Sequence, residues 1–180
     1  MQVGVYTGDA SEWLLTNILT DPSSILIDVD TWEGSDELEH KSINFSDVYE
    51  FYKKRMEPYE NVLSVRNNSE NFLRNNKTVY DFIYVDGDHT EKAVYADAIN
   101  CWPLLKSGGI LAFDDYLWGQ GLEPHTTPKP AIDRFLAEKQ GEYEILNEDY
   151  QVWLLKKWQK DPQDIGITYT SGVKWSVRGL

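Results

Sequence analysis

Two short stretches of this sequence carry most of its chemistry. YVDGDH holds Asp86, Asp88 and His89, and AFDDY holds Asp114 and Asp115. Each follows a short apolar run, FIYV (Phe82 to Val85) and ILAF (Ile110 to Phe113). Runs of that length and composition read as buried parallel strands. In an open parallel sheet, ligands bind beyond the carboxyl ends of the strands. If the two runs are neighbours, their aspartates converge there. Left alone, such carboxylates repel one another and their pKa values rise. A hard divalent cation such as Mg²⁺ removes the conflict, because it takes carboxylate and water oxygens as ligands. The competing reading is that Asp88 or Asp115 caps a helix or a turn.

Two further signals lie upstream. VGVYTGDASEWLL places Gly4 and Gly8 between a strand and a helix. Glycines there let the backbone approach a ligand, and the helix start offers unbonded N–H groups. ILIDVDTWEG ends a strand at Asp30, some twenty residues beyond the glycine loop. A carboxylate at that place can accept both hydroxyls of a ribose.

The elements that must position these residues follow from periodicity. Strands are predicted at 3–6, 24–29, 62–65, 82–85, 110–113, 143–146 and 150–158. Helices are predicted at 11–19, 46–56, 70–74, 90–105 and 131–139. Pro103 is expected to bend or shorten the fourth helix, and Lys106-Ser-Gly-Gly to end it with a glycine stop. The alternation predicts an α/β fold: a Rossmann-like, doubly wound sheet of seven strands, mostly parallel. The last two strands lack an intervening helix, so the final one is expected to run antiparallel near one edge. Residues 1–158 read as one domain. Residues 159–180 read as an appended tail, with ITYT and VKWSV forming a β-hairpin on Ser171-Gly172 or trailing loosely.

Composition narrows the partners. The 180 residues are 41% hydrophobic and 26% charged, as in a soluble globular domain. No apolar run is long enough for a membrane span, and the N-terminus has no secretory pattern. The single cysteine, Cys101, forms no internal disulfide, which suits the cytoplasm. A net charge of −13 repels nucleic acid. The densest basic runs, Lys53-Lys54-Arg55 and Lys156-Lys157, are too short to reverse that. A cation, or a substrate held through one, fits better, and the tail is one candidate for homodimerisation.

The combined pattern resembles the class I S-adenosylmethionine-dependent methyltransferases. GVYTG resembles their first motif, and Asp30 their ribose-binding acid. DFIYVDGDH and LLKSGGILAFDDY resemble the metal-dependent O-methyltransferases of small molecules, which include those acting on catechols and on antibiotic sugars. PKPAIDRFL and YQVWLLKK are similar to bacterial and phage members.

The resemblance implies S-adenosylmethionine and a divalent cation such as Mg²⁺ as cofactors. Gly4, Tyr6 and Gly8 would line the methionine end, and Asp30 would hold the ribose with Trp32 nearby. Ser69 would sit near the adenine, and Asp86 would touch the cofactor. Asp86, Asp114 and Asp115 would bind the metal. Asp88 would be the general base, with His89 as its rival. The acceptor would be a hydroxyl of a small molecule or sugar, best a vicinal diol or catechol that chelates the metal.

One departure is Gln2, where the family has an acidic residue two positions before the first glycine. The start at Met1 leaves a short first strand and no helix before it, the mark of absent upstream sequence or of a compact, viral type. A degenerate relative that binds cofactor, nucleoside or metal without catalysis is the alternative. A dehydrogenase is disfavoured because the glycines do not read GxGxxG.

Overall fold

The computed structural model describes residues 1–35 and 38–158. The tail, and with it the expected hairpin, lies outside the described residues. Seven strands form one sheet in the order β3-β2-β1-β4-β5-β7-β6. They are β1 (Gln2–Val3), β2 (Leu26–Asp30), β3 (Val62–Arg66), β4 (Tyr80–Val85), β5 (Leu105–Phe113), β6 (Tyr143–Glu148) and β7 (Val152–Lys156). β1 to β5 pair in parallel. β7 runs antiparallel to both β5 and β6, as the missing helix between the last two strands requires. The helices are α1 (Asp9–Asn17), α2 (Phe45–Met56), α3 (Ser69–Asn75), α4 (Glu91–Cys101) and α5 (Lys129–Glu138).

The period-two alternation of the strands feeds two cores. Ile83, Val85, Leu111 and Phe113 pack under α3, α4 and α5, with Ala98, Ile132 and Phe135. Phe82, Tyr84 and Ala112 face the other way, toward Leu14 of α1 and Tyr52 of α2. The sheet is therefore covered on both faces, the arrangement a doubly wound fold demands.

Several boundaries differ from the sequence expectation. The first strand ends at Val3 rather than Tyr6. Gly4 and Tyr6 both turn to positive φ, +79° and +50°. The amides of Val5 and Tyr6 are drawn to Asp30 instead of a neighbouring strand. The fourth helix stops at Cys101 and continues only as a 3₁₀ turn over Trp102–Leu104, because Pro103 can neither donate the next helical hydrogen bond nor fit inside the helix. Lys106 to Gly109 is not a helix stop but the start of β5. Pairing shifts there, from Tyr80↔Leu105 to Phe82↔Ile110, and Gly108 at φ +79° lets the strand bulge. Lys156 secures the corner by donating from its buried ammonium to the carbonyls of Trp102 (2.7 Å) and Leu105 (2.8 Å).

The tightest constraint is at Gly4. A Cβ built there would lie 1.8 Å from the carbonyl oxygen of Asp86. The loops after β1 and β4 thus touch through bare backbone. Gly4→Ala is expected to destabilise the fold by roughly 3 kcal/mol or more, summing left-handed strain and overpacking. Urea unfolding monitored by circular dichroism checks this; a loss under about 1 kcal/mol would contradict the contact.

Candidate active site

The carboxyl ends of β1 to β5 all point to one edge of the sheet, and the predicted residues gather there. A cavity of about 380 Å³ opens over the ends of β3, β2, β1 and β4. That is within the range of small-molecule sites, roughly 300–1,000 Å³. Gly4, Tyr6, Asp30, Trp32, Ser69, Asp86, Asp88 and His89 all line it. Gly8 does not. It precedes α1 in a left-handed conformation (φ +82°) and packs against the Tyr52 ring.

Asp30 organises the loop after β1. Its Oδ2 accepts from the N–H groups of Val5 (2.7 Å) and Tyr6 (3.0 Å), and its Oδ1 from that of Trp32 (2.7 Å). Trp32 closes the circuit by donating from its indole to the carbonyl of Tyr6 at 3.0 Å. The Trp32 ring is buried and packs on Tyr49 and Tyr52, at 4.7 and 4.8 Å between centroids. Only part of the Asp30 carboxylate is left to accept from a ligand.

Gln2 is fully buried beneath this loop. Its amide donates to the carbonyl of Gly4 (2.7 Å) and accepts from the hydroxyl of Ser11 (3.1 Å). The residue that departs from the expected acid thus braces the glycine loop from below.

The sequence reading missed part of the wall. His40 and Phe45 line the cavity and pack with Tyr6, at 5.2 Å between His40 and Phe45 and 6.1 Å between Tyr6 and His40. His40 comes from the long segment between β2 and α2, where no periodicity marks it, and Phe45 is the first residue of α2. Asn67 and Asn68 also line it. They directly follow β3, so their place at a strand end was a usable signal.

The acidic end of the site divides into two arrangements. Ligand-type atoms of Asp86, His89 and Asp115 lie within 4.8 Å of one another. The His89 Nε2 is 3.0 Å from the Asp115 Oδ2, and its ring packs on Trp118 at 4.6 Å. Asp115 reaches this position with φ +57°, a left-handed turn that aspartate tolerates. Asp114 is engaged elsewhere. Its carboxylate accepts from the Tyr84 hydroxyl, from the Gln151 amide at 3.0 Å and from the Asp115 N–H at 2.8 Å. Burial, then the charges of Asp114 and Asp115, hold the carboxyl of Asp86 well above the usual carboxylate range. Asp88 Oδ1 accepts from the Thr90 N–H at 2.8 Å, just ahead of α4.

The sequence matches a methyltransferase-domain family over residues 1–116. The chain belongs to that methyltransferase family. No curated protein matches it. Among solved structures, the fold is similar to the O-methyltransferase NovP, with 17% identity, a TM-score of 0.63 and coverage of 87% of this chain and 71% of that one. It is similar to an O-methyltransferase from Bacillus cereus in complex with SAH (15%, 0.60, 86% and 72%). It is also similar to TomG from Streptomyces achromogenes, an O-methyltransferase of tomaymycin synthesis in complex with SAM (13%, 0.64, 87% and 72%). Among the described residues of this methyltransferase, no helix is long and apolar enough to cross a membrane.

A second carboxylate lies under the glycine loop. Asp28 of β2 is fully buried; the Tyr52 hydroxyl donates to its Oδ2 at 2.9 Å, and its Oδ1 has no partner among the described residues. Burial pushes its pKa up to about 6, hydrogen bonding offsets this in part, and Asp30 adds to it. The folded state therefore holds this proton to higher pH than the unfolded chain does. Linkage then makes the group's contribution to stability fall as pH rises from about 4 to about 6 and level off above. The expected cost at pH 7 is roughly 3 kcal/mol. Asp28→Asn should lack that slope, so the stability difference between variant and wild type should grow across this window. Urea unfolding at pH 4.5 and pH 7 measures it; a pH-independent difference would refute the assignment.

Proposed function

We propose that the protein transfers a methyl group from S-adenosylmethionine to a hydroxyl of a small molecule or sugar, assisted by a divalent cation. The observation that carries this reading is the junction of two features in a methyltransferase-family chain. A glycine-loop cavity with Asp30 at its floor runs directly into the crowded carboxylates at the ends of β4 and β5.

The donor set fits a cation. Asp86 and Asp115 offer oxygen, His89 offers nitrogen in the same cluster, and Asp114 adds negative charge beside them. Burial first, and then the charges of Asp114 and Asp115, raise the pKa of Asp86, and a bound cation would oppose both. A divalent ion bound there lowers the pKa of a hydroxyl and fixes its orientation. S-adenosylmethionine supplies the electrophilic methyl group.

The chain's own residues do the rest. Gly4 and Tyr6 shape the wall for the methionine end, and the free lone pair of Asp30 accepts from the ribose. Asn67, Asn68 and Ser69 border the base. Asp88 receives the acceptor's proton. Its Oδ1 is tied to the Thr90 N–H, which fixes the carboxylate and leaves Oδ2 for that proton. His89 is oriented by Asp115 and stands next to Asp88 as the alternative base.

Two measurements test this. Calorimetry with S-adenosylhomocysteine should show binding to the wild type, weakened at least about tenfold in Asp30→Ala, given charge-assisted hydrogen bonds of roughly 1.5–3 kcal/mol. An unchanged dissociation constant in folded Asp30→Ala would remove the ribose role. Asp88→Asn should lower kcat by roughly 10²–10⁴-fold with S-adenosylhomocysteine and Mn²⁺ affinities retained. If His89→Ala causes that loss instead, with Mn²⁺ affinity retained, the base is His89. Binding without turnover of any hydroxyl acceptor would point to a non-catalytic relative.

A further inference from the structure

Among the described residues the sheet has two open edges, β3 at one end of the strand order and β6 at the other. An open edge is a template for pairing, and proteins blunt it with charges, bulges or a cover. β6 is blunted. Its register breaks between Ile145 and Asn147, and Glu144 and Glu148 lie along it. β3 has neither device. It pairs with β2 without a break, from Leu26↔Val62 to Asp30↔Arg66, and VLSVR carries its only charge at the last residue. Leu63 is left 54% exposed. Ile25, two residues before the Ile27 that pairs with Leu63, is 60% exposed.

The hydrogen bonds to β2 fix which backbone groups of β3 face outward. Leu26 donates to the carbonyl of Asn61, and Asn67 donates to the carbonyl of Asp30, both at 2.9 Å. The odd-numbered residues of this stretch therefore turn toward β2, and Val62, Ser64 and Arg66 turn their N–H and C=O groups to the open edge. In an antiparallel pair of two such edges, the outward residues must meet one another. One two-fold arrangement achieves this with Leu63 facing Leu63 across the axis. Val62 then exchanges hydrogen bonds with Ser64 of the other copy, once on each side. The two Leu63 residues form the close, non-hydrogen-bonded pair, with Cα atoms about 4.5 Å apart. Glu60 comes opposite Arg66 at both ends. The register centred on Ser64 sets Arg66 against Val62 and Glu60 against Asn68, and loses both ion pairs. Arg66 is already positioned: its Nε donates to the carbonyl of Thr31 at 3.0 Å and its guanidinium lies 5.4 Å from the Tyr49 ring centroid, and neither contact neutralises its charge. A second copy also carries −13, so the contact must supply its own attraction. The apolar stripe and the two Arg66–Glu60 pairs do so.

We propose that β3 pairs antiparallel with β3 of a second copy in the register centred on Leu63, joining two seven-stranded sheets into one across a two-fold axis. Ile25, Ile27 and Leu63 of one copy continue into those of the other as a single apolar stripe. The pairing holds β3 at the end from which Asn67, Asn68 and Ser69 enter the first cavity. It is independent of the methyl-transfer reading.

Sedimentation velocity of the full-length protein tests this, in about 0.15 M salt to limit the long-range repulsion. A concentration-dependent dimer should form below about 100 µM, the range of weak but specific contacts. Leu63→Lys sets two ammonium groups at the axis and should weaken the dimer at least about tenfold, with the circular dichroism spectrum unchanged. Glu60→Lys should weaken it by about 3–10-fold, because lysine then faces Arg66 at both ends. Adding Arg66→Glu to Glu60→Lys should restore most of that loss. Glu60 is exposed, so its variant reads the contact even where Leu63→Lys disturbs folding. A protein that stays monomeric at these concentrations overturns the proposal. So does a dimer indifferent to both Leu63→Lys and Glu60→Lys, which is then held elsewhere, as through residues 159–180. A dimer that Leu63→Lys breaks but the charge exchange does not restore overturns the register centred on Leu63.

Discussion

The site depends on one carboxylate holding three backbone N–H groups. Asp30, at the end of β2, accepts from Val5, Tyr6 and Trp32. Those bonds pull the chain out of the sheet after only two residues of β1 and fold it into a loop with Gly4, Tyr6 and Gly8 at positive φ. A left-handed φ is costly for Tyr6 in this loop and for Trp32 after β2, which are not glycine, and the charge-assisted bonds offset that cost. Gln2 braces the same loop from below, and Trp32 locks it from the side. A ligand at this place meets a wall already formed, so it does not have to order the loop itself.

Charge is the second organising constraint. Asp86, Asp114 and Asp115 share one end of the sheet in a chain already at −13. The fold manages them unequally. Asp114 accepts from Tyr84, Gln151 and a backbone N–H, which ties it to β4 and to the residue before β7. Asp115 turns toward His89, and Asp86 faces both. The mutual repulsion of these carboxylates adds to burial in holding the Asp86 carboxyl above its ordinary range.

The two faces of the sheet serve different ends. α3, α4 and α5 seal one face with a continuous core, which fixes the strand ends rigidly. On the other face, α1 and α2 cover β2, β1 and β4, and the tryptophans of α1 and β7 line a second cavity. The rigid face positions the acids, and the other face is more open.

Much of this was written in the sequence. Buried runs ending in aspartates, a glycine loop and an acid some twenty residues later are local patterns, and the strand–helix alternation fixes a doubly wound sheet because no other layering buries those faces. Asp30, Asp86 and His89 were legible for that reason as residues gathered at the carboxyl edge of the sheet, where they line the first cavity. What tertiary structure decided is everything that depends on non-local partners. Asp114 and Asp115 are adjacent and alike in sequence, yet Gln151, thirty-seven residues from Asp114, separates their roles. Gly8 looks like Gly4, but only Gly4 meets the backbone of Asp86, while Gly8 meets the Tyr52 ring. Lys106 to Gly109 read as a helix stop, and became a bulged strand because Pro103 had already ended the helix and β4 offered an edge to pair with. Trp13 and Trp153, 140 positions apart, become neighbours of one cavity only when α1 packs across the sheet near β7. Local pattern sets what each segment can be, and long-range packing selects which of its groups are left to act.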